Sequence, residues 1–187
     1  MNFDNHPLLI VDQIRKIYGE GCICTFSEYE YRPQSIVDNR RVFEVPISDV
    51  DRPWLRLNLT GLSSGAELAL HSNIRWNGEV RHIPMIDFAT RSRAQLPKLN
   101  EFLEGRIADS MLWFDSGRSF HGYGTTLITE AEWRELMGRL LLANMPNLPP
   151  LVDPRWVGHR LIAGYSALRW SCNTKQYIQL PELVHVT

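Results

Sequence analysis

The 187-residue chain carries 20 basic and 21 acidic residues, a formal net charge of −1 at pH 7. That balance excludes a global positive field, so any site for a polyanion must be a local patch. Apolar residues make up 44% and charged ones 22%, too rich in core-forming side chains for a disordered chain, and the length predicts one domain over residues 1–187.

No apolar run approaches the ~20 residues of a membrane helix. The opening string Met1-Asn2-Phe3-Asp4-Asn5-His6 has no basic stretch leading into an apolar core, so no secretory leader and no membrane partner are expected. Cys22, Cys24 and Cys172 then read as reduced thiols, and a cytoplasmic location is expected.

In chain order, residues 7–18 place Ile10, Val11, Ile14, Ile17 and Tyr18 at helical stripe spacing, between Pro7 in the first turn and Gly19 past the end. Residues 22–31, 41–47 and 54–59 read as extended. In the last of these Trp54, Arg56 and Asn58 alternate with Leu55, Leu57 and Leu59. Asn77-Gly78 between the runs 68–76 and 79–88 predicts a tight hairpin. Residues 92–104 predict a helix with Leu96, Leu99, Phe102 and Leu103 on one face and Pro97 in its first turns. Residues 111–114 and 120–123 are two arms around Ser116-Gly117-Arg118. Thr129-Glu130-Ala131-Glu132 is a capping box, opening a helix to about Asn144 that buries Trp133, Leu136, Met137, Leu140 and Leu141. After a connector at 145–150, strand-like pieces fall at 161–162, 167–170 and 177–180. Strand pairs interleaved with helices, without regular alternation, predict an α+β domain.

Three clusters carry chemistry. Asp87 ends the apolar run Pro84-Met85-Ile86, where a carboxylate can ligate a divalent metal or simply cap the turn at Thr90-Arg91. In Asp115-Ser116-Gly117-Arg118-Ser119-Phe120-His121-Gly122-Tyr123-Gly124, Arg118 offers a fork of donors suited to phosphate. Ser119 and His121, two apart, share a strand face while Phe120 enters the core, and Gly122 and Gly124 admit close approach to the backbone. The alternative is a glycine-rich turn with a solvated arginine. In the third cluster Asp153 follows Leu151-Val152, with His159 and Arg160 after it. Arg169, Ser171, Asn173 and Lys175 alternate with Trp170, Cys172 and Thr174, giving one strand face two cations and two hydrogen-bonding groups, suited to an anion or simply to solvent.

Other features are weaker. Cys22-x-Cys24 lacks a second pair with zinc spacing. His71 and His82 flank the Asn77-Gly78 turn and could face each other across the hairpin, although cross-strand histidines are mostly just sheet surface.

In their order, the three clusters resemble the catalytic core of the archaeo-eukaryotic primase (primase-polymerase) superfamily. Its motifs are two acidic residues spaced one apart on a strand, a Ser-x-His on a later strand, and a hydrophobic-Asp. Ser116-Gly117-Arg118-Ser119-Phe120-His121 is similar to the string around the second motif, and Val152-Asp153 to the third. Arg160 and the run from Leu168-Arg169-Trp170-Ser171 to Lys175 resemble the family's downstream phosphate-handling segment. The first motif departs from the pattern: Asp87-Phe88-Ala89 puts an alanine at the second acidic position, a small variant with an incomplete first motif.

The resemblance spans roughly residues 68–178, a motif-bearing core behind an N-terminal α/β part at 1–67. It implies an α+β fold, a mixed or antiparallel sheet with packed helices and an RRM-like core. The function it implies is binding of nucleoside triphosphate and of DNA or RNA, with metal-dependent nucleotidyl transfer in DNA replication. Asp87 and Asp153 would hold Mg or Mn and, with His121, be catalytic. Arg118, Ser119, His121, Arg160, Arg169, Ser171 and Lys175 would bind nucleotide. At this length the chain is expected to stand alone as a small variant or join a larger protein assembly. Ala89 keeps open an alternative, a catalytically degenerate nucleic-acid-binding subunit of a plasmid, phage or defence system. A third reading is a protein-interaction domain using Trp54 and Trp156.

Overall fold

A computed structural model of the chain describes residues 2–30, 32 and 35–184. Helix α1 (Leu8–Tyr18) starts behind Pro7 and stops at Gly19. Leu8, Ile10, Val11 and Ile14 form its buried stripe, while Ile17 turns to solvent. Strands β1 (Ile23–Glu30) and β2 (Arg40–Pro46) pair antiparallel. Tyr31, where the first extended piece was expected to end, lies outside the described residues.

Residues 54–59 are helical rather than extended, within α2 (Arg52–Thr60). Asp51 accepts a hydrogen bond from the Trp54 N–H at 2.8 Å and Pro53 sits in the first turn. A capped start with a preset φ outweighs six residues of alternation. Trp54 is partly buried against the core and not a free interface residue.

The Asn77-Gly78 hairpin forms between β3 (Ala66–Trp76) and β4 (Glu79–His82), with φ of 50° and 80° at the turn. Its second arm does not run on to Phe88. Pro84 has no N–H for a ladder, and β5 (Met85–Asp87) joins a second sheet. His71 and His82 do not face each other, because Ala167 is the register partner of His71 and Asn73 that of His82.

Pro97 lies inside a 3-10 helix, Arg93–Glu101, where an α-helix was expected. After α3 (Gly105–Ala108), β6 (Met111–Asp115) and β7 (Phe120–Gly124) form the expected hairpin. Helix α4 (Glu130–Leu142) opens on the capping box of Thr129 and Glu132. Trp133, Leu136, Met137 and Leu140 are buried, and Leu141 lies at the surface instead. Leu161 and Ile162, expected in a strand, belong to α5 (Pro154–Ala163), which Asp153 caps and Pro154 opens. Strand β8 (Ala167–Arg169) ends before Trp170. Residues 177–180 are not a strand, and the last strand is β9 (Glu182–Val184).

The result is the expected α+β fold, with two antiparallel sheets. One has the order β2-β1-β3-β4, and β8 also pairs with β3; the other has the order β5-β7-β6-β9. Strand β3 carries β8 beside Ala69, Leu70 and His71 and β4 beside its last residues. One core cluster lies around α1 and the first sheet, with Phe26, Leu68, Leu70 and Trp170 at its centre. The other packs Phe88, Phe120, Trp133 and Met137 between the second sheet and α4 and α5. Among the described residues no helix is long and apolar enough to cross a membrane.

Candidate functional site

Three distant segments meet on the second sheet. Asp87 on β5 and His121 on β7 are register partners, and such partners project to one face. The Asp153 N–H donates to the Asp87 carbonyl at 3.0 Å, and the Ala89 N–H to the Leu151 carbonyl at 2.7 Å. Residues 151–153 therefore extend the sheet beside β5, so Asp87 has His121 on one flank and Asp153 on the other. Ser119 shares the face of His121, while Phe120 turns to the buried side against Phe88.

The turn before Ser119 is tightly built. Gly117 has φ 91°, and a Cβ there would meet Gln179 and Ile178 at 3.0 Å. Asp115 is committed to this turn and to Arg91, accepting from the Gly117 N–H at 2.7 Å and from Arg91 at 2.9 Å.

This face opens into a cleft of about 360 Å³. Asp87, Arg118, Ser119, His121, Asp153, Arg160 and Arg169 all line it. Ser171 and Lys175 do not, because β8 ends at Arg169 and no strand carries the alternation expected over 169–175. Ser171 is buried and donates to the Glu67 carboxylate, which also takes the N–H groups of Asn173 and Thr174. Lys175 is exposed outside the cleft. Arg169 works as a staple: its guanidinium donates to the Ser116 carbonyl at 2.7 Å and to the Ser171 carbonyl, and it lies over the Tyr177 ring at 3.9 Å.

Burial, and then the charge of Asp153, push Asp87 up to about 7 against the opposing pull of Arg169, a Ser119 hydrogen bond and Arg118. Burial, and then Arg169, pull His121 down to about 3. Its Nε2, 3.9 Å from Asp87 Oδ1, is therefore a neutral neighbour of Asp87 at pH 7 rather than an ion-pair partner. His121 Nδ1 has no hydrogen-bond partner among the described residues. Asp153 Oδ1 caps α5, accepting from Arg155 N–H at 2.8 Å and Trp156 N–H at 3.2 Å. Its Oδ2 accepts no hydrogen bond among the described residues.

No group of three or more His, Cys, Asp and Glu side chains suited to a metal occurs among the described residues. Asp87 and Asp153 are chemically suited to a single oxygen-ligated divalent cation, whose other ligands would have to come from elsewhere, such as a bound phosphate. Ala89, on the Asp87 face and lining the cleft, offers no side-chain carboxylate to bridge a second ion.

Sequence reasoning missed part of the cleft: Tyr29, Asp38, Arg40, Arg155 and Tyr177 also line it. Arg155 was within reach, since Asp153-Pro154 is itself a helix-start signal. Trp156, read as an interface residue, instead lines the cleft and donates to the Ala167 carbonyl at 3.0 Å. Arg118 and Arg155 are exposed at the cleft and form no ion pair among the described residues.

A family model described as AEP-like, archaeo-eukaryotic primase 1D-like, matches residues 46–182. Among solved structures, the catalytic domain of the primase Repb' in complex with initiator DNA is similar, with a TM-score of 0.53 at 14% identity. The match covers 97% of this chain and 85% of that one, and at such identity it speaks for the fold alone. No curated protein matches. On a family match covering most of its length, including Asp87, His121 and Asp153, the chain belongs to the AEP-like, archaeo-eukaryotic primase 1D-like family, with a primase-polymerase type of nucleic-acid-related function.

Proposed function

We propose that the cleft binds a nucleoside triphosphate against the end of a nucleic-acid strand and, with one divalent cation, transfers the nucleotide to the strand's 3′ hydroxyl, which loses its proton as pyrophosphate leaves. The observation that carries this reading is the backbone bond from Asp153 to Asp87. It sets two carboxylates side by side on the face that also holds Ser119 and His121.

Arg118, exposed and without an ion pair among the described residues, binds the triphosphate with the Ser119 hydroxyl; Arg160 and Arg169, which also line the cleft, add positive charge. His121, neutral at pH 7, donates one ring N–H to a phosphate oxygen and adds no charge. Mg2+ or Mn2+, held by Asp87 and Asp153, would neutralise phosphate charge and polarise the phosphorus for attack. Asp87, pushed up to about 7, is only partly ionised at neutral pH, and positive charge arriving in the site favours its ligand form. Ala89 favours a second reading, binding without transfer, because two bridged ions have no ligand there.

The test is nucleotide incorporation on primed and unprimed templates with magnesium or manganese, beside binding of a fluorescent nucleoside triphosphate. Incorporation lost in Asp87→Ala establishes transfer. Binding without incorporation, unchanged in Asp87→Ala, establishes the second reading. No triphosphate binding at low salt refutes both.

A further inference from the structure

At the end of the cleft built by β1, β2 and α5, two buried guanidinium groups surround one carboxylate. The Arg160 side chain is 4% exposed and that of Arg40 9%, whereas Asp38, which joins them, is 26% exposed. Arg40 Nε donates to both Asp38 oxygens at 2.9 Å, and Arg160 Nη2 donates to Oδ2. Arg40 also lies over the Tyr29 ring at 4.2 Å and donates to Ser27 Oγ at 3.1 Å. These contacts fix its direction.

The charge at this end does not close. Two cations share one anion, and His71, stacked on Tyr165 at 4.3 Å, is pulled down to about 3 by burial, then Arg40 and Arg160, and stays neutral. Arg160 also keeps Nε and Nη1 without hydrogen-bond partners among the described residues. Unmet donors on a buried cation are costly and point to an anion that would meet them.

A carboxylate and a phosphate present the same pair of oxygens to a guanidinium fork. We propose that Arg40 and Arg160 form a second phosphate subsite, in which the Asp38 carboxylate stands in for the phosphate until a ligand displaces it. The inference rests on the reading of the cleft as a nucleotide and nucleic-acid site, and gives Arg160 a dedicated partner group in place of a general positive contribution. The ligand is a phosphate group, from a free nucleotide or from a strand.

The variant that tests it is Asp38→Asn, nearly isosteric and uncharged, with inorganic pyrophosphate as the probe at fixed ionic strength. Without pyrophosphate the variant melts below the wild type, since the two cations lose their counter-ion. With pyrophosphate it regains the loss and binds the probe about fivefold or more tightly than the wild type. Adding Arg40→Ala removes the gain; Arg40→Lys, which keeps the charge and loses the fork, serves where the alanine variant does not fold. Repeating the comparison with a nucleoside triphosphate and with an oligothymidylate identifies the source as whichever shows the gain. A variant that melts lower, gains no affinity and is not restored by pyrophosphate makes Asp38 a structural counter-ion and overturns the subsite. Loss of triphosphate binding in Arg118→Ala reports on the nucleotide reading separately, so each idea can fail alone.

Discussion

Replacing Asp87 with Asn removes a carboxyl group that the fold holds in an unfavourable place for its charge. Burial and the neighbouring Asp153 raise Asp87 from 3.8 to about 7, a difference of about 4 kcal/mol between its two protonation states. Its side chain keeps 23% exposure, and solvent screening at that exposure brings the expected effect to roughly half. The sign follows from linkage: a carboxyl raised in the folded state leaves stability intact below pH 4, and stability is lost as pH rises from 4 through 7. Asp87→Asn keeps an oxygen for the Ser119 hydroxyl and never ionises. It should therefore match the wild type near pH 4 and exceed it by about 2 kcal/mol at pH 8, roughly 4–8 °C in melting temperature for a chain of this size. Magnesium or manganese with triphosphate should narrow the gap at pH 8 by stabilising only the wild type. Thermal melts at pH 4, 6 and 8 measure this. A variant no more stable than the wild type at pH 8, or one whose advantage is the same at every pH, refutes the account of Asp87.

Three further outcomes follow from the packing. Asn144 accepts from the N–H groups of Leu151 and Val152 at 2.8 and 3.0 Å and donates to the Val152 carbonyl at 2.9 Å. Asn144→Ala should thus cost about 2–3 kcal/mol and weaken metal-dependent triphosphate binding by loosening Asp153, seen in urea melts and a binding titration. Gly122→Ala places a Cβ 2.6 Å from Met111 Cε and 2.7 Å from the Trp113 ring, and overpacking of this kind should lower stability by about 1–3 kcal/mol. Burial, and then Cys22, push Cys24 up to about 12, and Cys22 and Cys24 are both buried while Cys172 is half-buried. Iodoacetamide should therefore modify Cys172 first in the folded protein, as peptide mass mapping would show.

Much of the local structure was legible in the chain because its signals act over a few residues: the capping box at Thr129, the Asn77-Gly78 turn, the stripe of α1 and the alternation that sends Phe120 inward beside Ser119 and His121. Where two local signals competed, the weaker one misled. Alternation over 54–59 lost to the Asp51 cap and Pro53, and the apolar pair at 161–162 lost to Asp153-Pro154.

What no window of sequence contains is which strand edges meet. The Asp153 bond to Asp87 joins residues 66 positions apart, and the Asp38 contact with Arg160 spans 122. Only the closing of two sheets around separate cores sets those partners, because packing is chosen by the summed burial of both faces and not by the residues that end up in the cleft. The chain alone thus determined which side chains were chemically equipped for phosphate and metal. Tertiary packing decided that Arg40 and Asp38 would join them and that Ser171 and Lys175 would not.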